Sequence, residues 1–120
     1  MLILNSNTEI KDFISSNQMA ILYFTVEGCN VCKVLLPKIE EMLQKYPNAK
    51  LAKIDVSKTL EAAGAYSVFA YPTILLYIEG KEYARESRYV SIESFEETIK
   101  NTIICFLVKK AAKLQPLLFT

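Results

Sequence analysis

A dense run of apolar side chains at residues 20–26 limits what this chain can fold into more than any other feature. A strand with one solvated face would alternate apolar and polar residues, whereas a continuous apolar run of strand length suits a strand that is buried on both faces. Such a strand needs other elements packed against both of its sides. The run therefore predicts a central sheet that is covered by helices on two faces.

Strand and helix signals alternate along the rest of the chain. Ser6 and Glu9 have the spacing of a capping box, and Ile10, Phe13 and Ile14 follow on one helical face. Glu79-Gly80 predicts a tight turn between two strands. The predicted strands are 2–4, 20–26, 51–56, 73–78 and 82–88. The predicted helices begin at the Ser6 cap, after the cysteine pair, at Ser57 (running to Ala65 and closing near Gly64), and at the Ser91 cap.

This order, β-α-β-α-β-α-β-β-α, predicts an α/β fold: a mixed central sheet of about five strands flanked by four helices. A length of 120 residues suits one domain, and 52% hydrophobic against 22% charged residues indicates a chain with a packed core. We expect the domain to span residues 1–106, with residues 107–120 as its C-terminal helical extension. Pro116 predicts that the last helix ends near Lys113.

Composition removes several classes of function. The formal net charge is +1, which gives no electrostatic reason to expect nucleic acid as a partner. The chain has no histidine, so no acid, base or metal ligand of that type is available. We see no basic region followed by a long apolar stretch at the N-terminus, and no run of about 18 apolar residues. We therefore expect a cytoplasmic protein that does not insert into membranes.

Cys29 and Cys32 lie where the buried strand ends and a long helical pattern begins. Two intervening residues let one helical turn bring the sulfurs together, and a helix N-terminus favours a thiolate at the first cysteine. Cys32, one turn further on, is better shielded and would act second. The alternatives are half of a zinc site and an inert structural pair. A structural zinc ion within one chain requires four ligands, however, and Cys105 is the one further cysteine in the sequence.

The sequence around the pair resembles the active-site segment of thioredoxins. The residues that carry the resemblance share the family's spacing: they are 21–33, Pro37, the apolar–Asp strand at 51–56, Tyr71-Pro72-Thr73 and Gly80. The resemblance covers about residues 2–105. It implies a thioredoxin fold and a thiol–disulfide oxidoreductase that reduces disulfides in partner proteins.

The resemblance also implies roles for individual residues. Cys29 and Cys32 would be the catalytic pair, without metal or cofactor. Pro72 would be preceded by a cis peptide bond, and the backbone of Tyr71 would pair with an extended substrate strand. The substrate-binding residues would be Gly28, Asn30, Val31, Tyr71, Pro72 and Arg88. A reductase or a low-molecular-weight thiol would supply electrons.

Four departures from the family motif indicate a specialised exchanger. Gly28 replaces the family's tryptophan, and Asn30-Val31 replaces Gly-Pro between the cysteines. Tyr23 occupies the position of a buried aspartate, and we interpret it as a core aromatic, which leaves Lys53 or water for proton transfer. Arg88-Tyr89 replaces the small glycine of the substrate groove. Alternative functions are an adaptor with a dedicated partner, or a redox sensor.

The C-terminal region continues the apolar content beyond the family's usual end, at 106–108, Leu114 and Leu117-Leu118-Phe119. Cys105 lies beside the Ile103–Phe106 stripe, and we expect it to be buried as a small apolar residue. A second apolar face contains Ile104, Leu107, Val108 and Ala111. A helix that is apolar on two sides must bury the additional surface, so the tail is expected to fold back on the domain or to form a homodimer.

Overall fold

A computed structural model describes the backbone of residues 1–118 and the side chains of residues 1–112. The predicted order of elements is confirmed. In chain order they are β1 (Leu2–Ile3), α1 (Asn7–Ser16), β2 (Met19–Thr25), α2 (Asn30–Leu43), β3 (Ala49–Asp55), α3 (Leu60–Tyr66), β4 (Thr73–Ile78), β5 (Lys81–Ser87) and α4 (Ile92–Leu118).

The sheet has five strands in the order β1-β3-β2-β4-β5. β1 and β2 run parallel to β3, whereas β4 runs antiparallel to both β2 and β5. β2 is therefore the central strand, and its residues 19–24, which include most of the apolar run, are all buried. The expectation of a strand buried on both faces is confirmed. Because side chains alternate along a strand, β2 supplies core residues to both layers.

Two apolar cores lie on opposite faces of the sheet. Tyr23 and Ile74 contribute to the core beneath α2 and α4, together with Phe95 and Ile99. Phe24 belongs to the second core, whose other members include Ile10, Phe13, Ile14, Ile54 and Leu75. The predicted helical face of α1 is thus the face that packs on the sheet. This two-layer covering holds the C-terminal end of β2, where the cysteines follow, in a rigid frame.

Two helices differ in their bounds from the sequence prediction. α3 begins at Leu60 instead of Ser57 and ends at Tyr66, one residue beyond the predicted Ala65, and Ser67 takes the left-handed conformation with φ 53°. α4 does not end near Lys113, because its backbone stays helical through Pro116 to Leu118. A proline in a helix removes its own amide hydrogen bond and crowds the carbonyl four residues before it, and here that disruption falls two residues before Leu118. The predicted apolar contribution of Phe119 lies outside the described residues.

Cys105 is exposed, so the expectation that it is buried is wrong. Ile103 and Phe106 of α4 pack against the core beneath that helix, whereas Ile104, Leu107 and Val108 of the same helix are 58–60% exposed. α4 continues past the sheet at this point, and only one of its faces meets the domain. Within residues 1–118, no helix combines the length and the apolar character that crossing a membrane requires.

Candidate redox site

A short turn carries the chain from β2 to the cysteines. Gly28 has φ +81°, a conformation that side chains disfavour, so a glycine suits this position for a backbone reason. The amide of Glu27 donates to the hydroxyl oxygen of Ser57 at 2.9 Å, and the amide of Cys29 donates to the carbonyl of Val26 at 3.3 Å. These bonds set the direction in which α2 begins.

Cys29 is the N-cap residue of α2 and is joined to Cys32 by a disulfide whose Cα atoms are 5.3 Å apart. The Cys29 Sγ also accepts a hydrogen bond from the Cys32 amide at 3.2 Å. Cys32 is buried, with 2% of its surface exposed, while Cys29 is partly exposed. The first sulfur is therefore accessible to a partner, and the second is shielded by the core.

The hydroxyl of Tyr23 lies beneath the second cysteine and donates to the carbonyl oxygen of Cys32 at 2.8 Å. Burial raises the pKa of Tyr23 to about 12, because the phenolate would lose its hydration. At neutral pH the side chain is a protonated core aromatic, as the interpretation from sequence held. Lys53, opposite Tyr23 in the sheet register, is half-buried and remains a candidate for proton transfer.

The loop before β4 lies at the same end of the sheet. Thr73 is paired with Phe24 near the end of β2, so the preceding Pro72 lies close to the turn that carries the cysteines. The Tyr71–Pro72 peptide bond is cis. Tyr71 and Cys29 are both partly buried against the core that contains Cys32. The fold thus brings the turn that carries the cysteines and the loop that ends at Pro72 to the same end of the sheet.

Arg88 follows β5 and approaches the same loop. Its amide donates to the carbonyl oxygen of Pro72 at 2.9 Å, and its own φ is +64°, a conformation that favours glycine. Tyr89, the next residue, is 96% exposed. Asn30 and Val31 are exposed on the first turn of α2. All the site residues predicted from the sequence therefore lie at the end of the sheet where β2 ends.

Two residues of this region were not predicted from the sequence. Phe69, in the loop before Pro72, is 79% exposed, and Arg85 of β5 bonds to the end of α3. An apolar residue three positions before a predicted cis-proline was the available signal for Phe69. No signal in the sequence indicated Arg85, since its partners are backbone carbonyls.

Among the described residues, no group of three or more acidic, Cys or His side chains is arranged to hold a metal ion.

Comparison with known proteins gives a consistent result. The thioredoxin family model matches residues 2–103. The chain is 38% identical over 97 residues to a thioredoxin-like protein, YdfQ, of Bacillus subtilis, which covers 81% of this chain and 87% of the relative. It is 34% identical to the thioredoxin of Chlamydia trachomatis over 80 residues, 67% of this chain and 78% of that one. The structure of Fasciola hepatica thioredoxin superposes with a TM-score of 0.78 at 30% identity, covering 84% of this chain and 98% of that one.

Proposed function

Because the chain belongs to the thioredoxin family and holds its two cysteines at disulfide distance, it is a thiol–disulfide oxidoreductase, and we propose that it works as a reductase of partner-protein disulfides. The observation that carries the proposal is the unequal exposure of the pair. The partly exposed sulfur of Cys29 sits at the start of α2, and the sulfur of Cys32 is buried behind it.

The reaction that we propose has two exchange steps. The Cys29 thiolate attacks one sulfur of the partner disulfide, forms a mixed disulfide and releases the other partner sulfur as a thiolate. The Cys32 thiolate then attacks the Cys29 sulfur, which closes the intrachain disulfide and releases the second partner thiolate. Two electrons pass from the pair to the partner. A reductase or a low-molecular-weight thiol returns them in the next cycle.

The position of Cys29 favours the first step. The unpaired amides and the dipole at the N-terminus of α2 stabilise an anion, and the Cys32 amide already donates to the Cys29 sulfur at 3.2 Å. A stabilised thiolate is present in larger amounts at neutral pH. Cys32 needs no such exposure, because its target is the neighbouring sulfur within the same turn.

The groove that we propose for the substrate combines segments from three elements. Gly28, Asn30 and Val31 flank the accessible sulfur, while Tyr71 and Pro72 form the opposite wall, where the backbone of Tyr71 would pair with an extended strand. Arg88 adds an exposed cation at the rim and is tied to Pro72 through its amide. An acidic residue beside the attacked cystine would complement this charge.

The pair is tested by two serine variants. Cys29→Ser should abolish reduction of insulin by dithiothreitol-charged protein, because no nucleophile remains for the first step. Cys32→Ser should leave the first step intact and accumulate a mixed disulfide, visible as a mass adduct on a non-reducing gel. Cys105→Ser serves as the control, since its exposed thiol lies on α4 outside the site.

Two outcomes would count against this assignment. One is wild-type protein that fails to reduce insulin with either dithiothreitol or a thioredoxin reductase as the electron source. The other is accumulation of the adduct in Cys29→Ser instead of Cys32→Ser, which would reverse the roles of the two sulfurs.

A second candidate function is an adaptor of thioredoxin fold. The observation that favours it is the exposure of two large aromatic residues, Phe69 and Tyr89, in loops at the redox end. Such surface suits one dedicated partner. A double variant, Cys29→Ser with Cys32→Ser, separates the alternatives: an adaptor keeps its biological function, whereas a reductase loses it.

The cellular setting follows from the reductase proposal. A pair that donates electrons must be reduced again after each cycle, and the cytoplasm keeps thiols reduced. We therefore propose a cytoplasmic location. Partners would be proteins with accessible disulfides, and no nucleic acid or membrane enters the reaction.

We also propose a homodimer formed through the extension of α4. Ile104, Leu107 and Ala111 follow a three-then-four spacing, which the sequence continues at Leu114 and Leu118. This is the heptad spacing of a helix that packs along another helix, and a second copy offers the same seam by twofold symmetry.

Charge and position are consistent with that pairing. The Lys109 Nζ lies 3.0 Å from the hydroxyl of Tyr83 on β5, and the Lys110 ammonium lies over the ring of Phe106, so both cations point away from the seam. Phe106 and Leu107 neighbour Gln18 and Met19 at the start of β2, whereas the disulfide follows its end. A dimer through this helix would leave both redox sites open.

A further inference from the structure

The loop between α3 and β4, residues 67–72, carries an exposed aromatic side chain three residues before Pro72 of the redox site. It begins at Ser67, in the left-handed conformation, and ends at Pro72. Between them Phe69 is 79% exposed. The backbone on both sides of Phe69 is held by hydrogen bonds. They come from Arg85 of β5, from Arg88 directly after that strand, and from Thr73 at the start of β4.

Arg85 of β5 holds the first end of the loop. Its Nη1 donates to the carbonyl oxygen of Ser67 and its Nη2 to that of Tyr66, each at 2.8 Å. These are carbonyls at the C-terminus of α3, where the helix dipole favours a cation. Glu82 accepts from the Nε at 3.0 Å and from Nη2 at 2.9 Å, which orients the guanidinium plane. Only a planar group with several donors can make all four bonds.

The other end of the loop is held by Thr73, the first residue of β4, and by Ser87 and Arg88 at the end of β5. The Thr73 hydroxyl donates to the carbonyl of Ala70 and lies 2.9 Å from the Ser87 hydroxyl. The Arg88 amide donates to the carbonyl of Pro72. β5 is an edge strand, and its outer side has no neighbouring strand in the five-stranded sheet. Residues 85–88 thus bond to both ends of the loop, and we call this arrangement the clasp.

We propose that Arg85 is a positioning residue for protein substrates: it fixes the 67–72 loop so that Phe69 contacts an apolar side chain next to the attacked cystine. This inference rests on the proposed reductase function and names its substrate class, which is an extended segment with an apolar residue near the disulfide. A small disulfide reaches the Cys29 sulfur without touching Phe69. Its reduction is therefore independent of Arg85.

The test compares a protein disulfide with a small one. Arg85→Ala and Arg85→Lys are assayed with insulin and with 5,5′-dithiobis(2-nitrobenzoate). Losing one apolar contact of about 1 kcal/mol raises the KM for insulin about fivefold, with kcat little changed. The rate with the small disulfide stays at the wild-type value. Phe69→Ala gives the same pattern, and adding Arg85→Ala to it has no further effect, because both variants remove one contact.

Lys81→Ala is the matched control, since Lys81 is an exposed cation on the same strand. A purely structural role for Arg85 would lower both reactions by the same factor, and that result would overturn the proposal. An unchanged insulin KM in Arg85→Ala, or additive effects with Phe69→Ala, would do the same. Where Arg85→Ala does not fold, Glu82→Gln replaces it, and a raised insulin KM alone is again expected. If wild-type protein reduces neither disulfide, the proposed reductase function is wrong. That result differs from a failure of the Arg85 proposal, in which the wild-type protein is active and only the variants depart from expectation.

Discussion

At the scale of single residues, one phenol shows how burial decides chemistry at this site. Tyr23 stands where thioredoxins carry a buried acid, and a carboxylic acid there could exchange a proton near neutral pH. The phenol cannot, because burial raises the pKa of Tyr23 to about 12. Its hydroxyl instead donates a structural hydrogen bond to Cys32 at 2.8 Å. The proton of Cys32 must therefore leave by another route.

Tyr23→Phe should separate these two roles. Loss of the buried hydrogen bond is expected to lower the free energy of unfolding by about 1 kcal/mol, measured by urea denaturation at pH 8. The pH profile of insulin reduction between pH 6 and 9 should keep its shape, because the phenol is protonated throughout. A profile that loses a limb in this range would make Tyr23 a proton-transfer group.

The same variant should change stability at alkaline pH. In the unfolded chain the phenol ionises near pH 10, and in the native state only near pH 12, so between these values the unfolded state binds fewer protons. The wild-type contribution is complete below pH 10 and is lost as the pH rises towards 12. Tyr23→Phe lacks this contribution, and its free energy of unfolding should decline less steeply from pH 10 to 11.

At the scale of secondary-structure elements, side-chain caps start three of the helices. The Glu9 amide donates to the Ser6 hydroxyl oxygen at 3.1 Å, and the Ser94 amide donates to that of Ser91 at 3.2 Å. At α2 the cap is the Cys29 sulfur. Cys29 therefore serves two purposes. Its sulfur accepts a hydrogen bond from an otherwise unpaired amide of the helix, and the same sulfur lies in the field that stabilises a thiolate.

Ser6→Ala tests the strength of a cap in this fold. Without the hydroxyl acceptor the Glu9 amide must find water, and the free energy of unfolding is expected to fall by about 1 kcal/mol in urea titrations. Ser16→Ala is the control: Ser16 is exposed at the other end of α1, and alanine has the higher helix propensity. Equal losses from both variants would show that the cap contributes nothing specific.

At the scale of the whole molecule, the chain is longer than a compact domain of its size. It extends 58 Å along its main axis, against 30 and 21 Å across, and has a radius of gyration of 15.5 Å. A compact domain of this length would have about 13–14 Å. The 27-residue α4 accounts for the difference, since it runs along the sheet and continues past it. Exposed apolar groups consequently lie at both ends: at the redox site and on the extension.

The extension is expected to set the oligomeric state. Full-length protein should sediment as a dimer at tens of micromolar, whereas a chain that ends at Val108 should be a monomer, because three of the five seam positions lie beyond Val108. Leu107→Glu should have the same effect by placing a charge in the seam. Leu60→Glu, an equally drastic change at an exposed apolar residue near the redox end, is the control. If full-length and shortened chains are monomers of equal stability, the seam has no partner in a second copy.

The sequence by itself determined the framework. The apolar run at 20–26, the capping serines and the turn at Glu79-Gly80 predicted the order of all nine elements, because strand and helix periodicity report burial directly. The position of the cysteines between a buried strand and a helix predicted the disulfide pair. These features are local, and each depends only on neighbours along the chain.

The tertiary structure alone decided the rest, because it depends on how far each element reaches beyond its neighbours. Cys105 and Ile104 are exposed since α4 continues past the edge of the sheet, which no periodicity reveals. The C-terminus of α3 is bonded by Arg85, whose partners are the carbonyl oxygens of residues 18 and 19 positions away. Backbone acceptors are the same at every residue, so a sequence carries no trace of such a bond until the fold brings its two ends together.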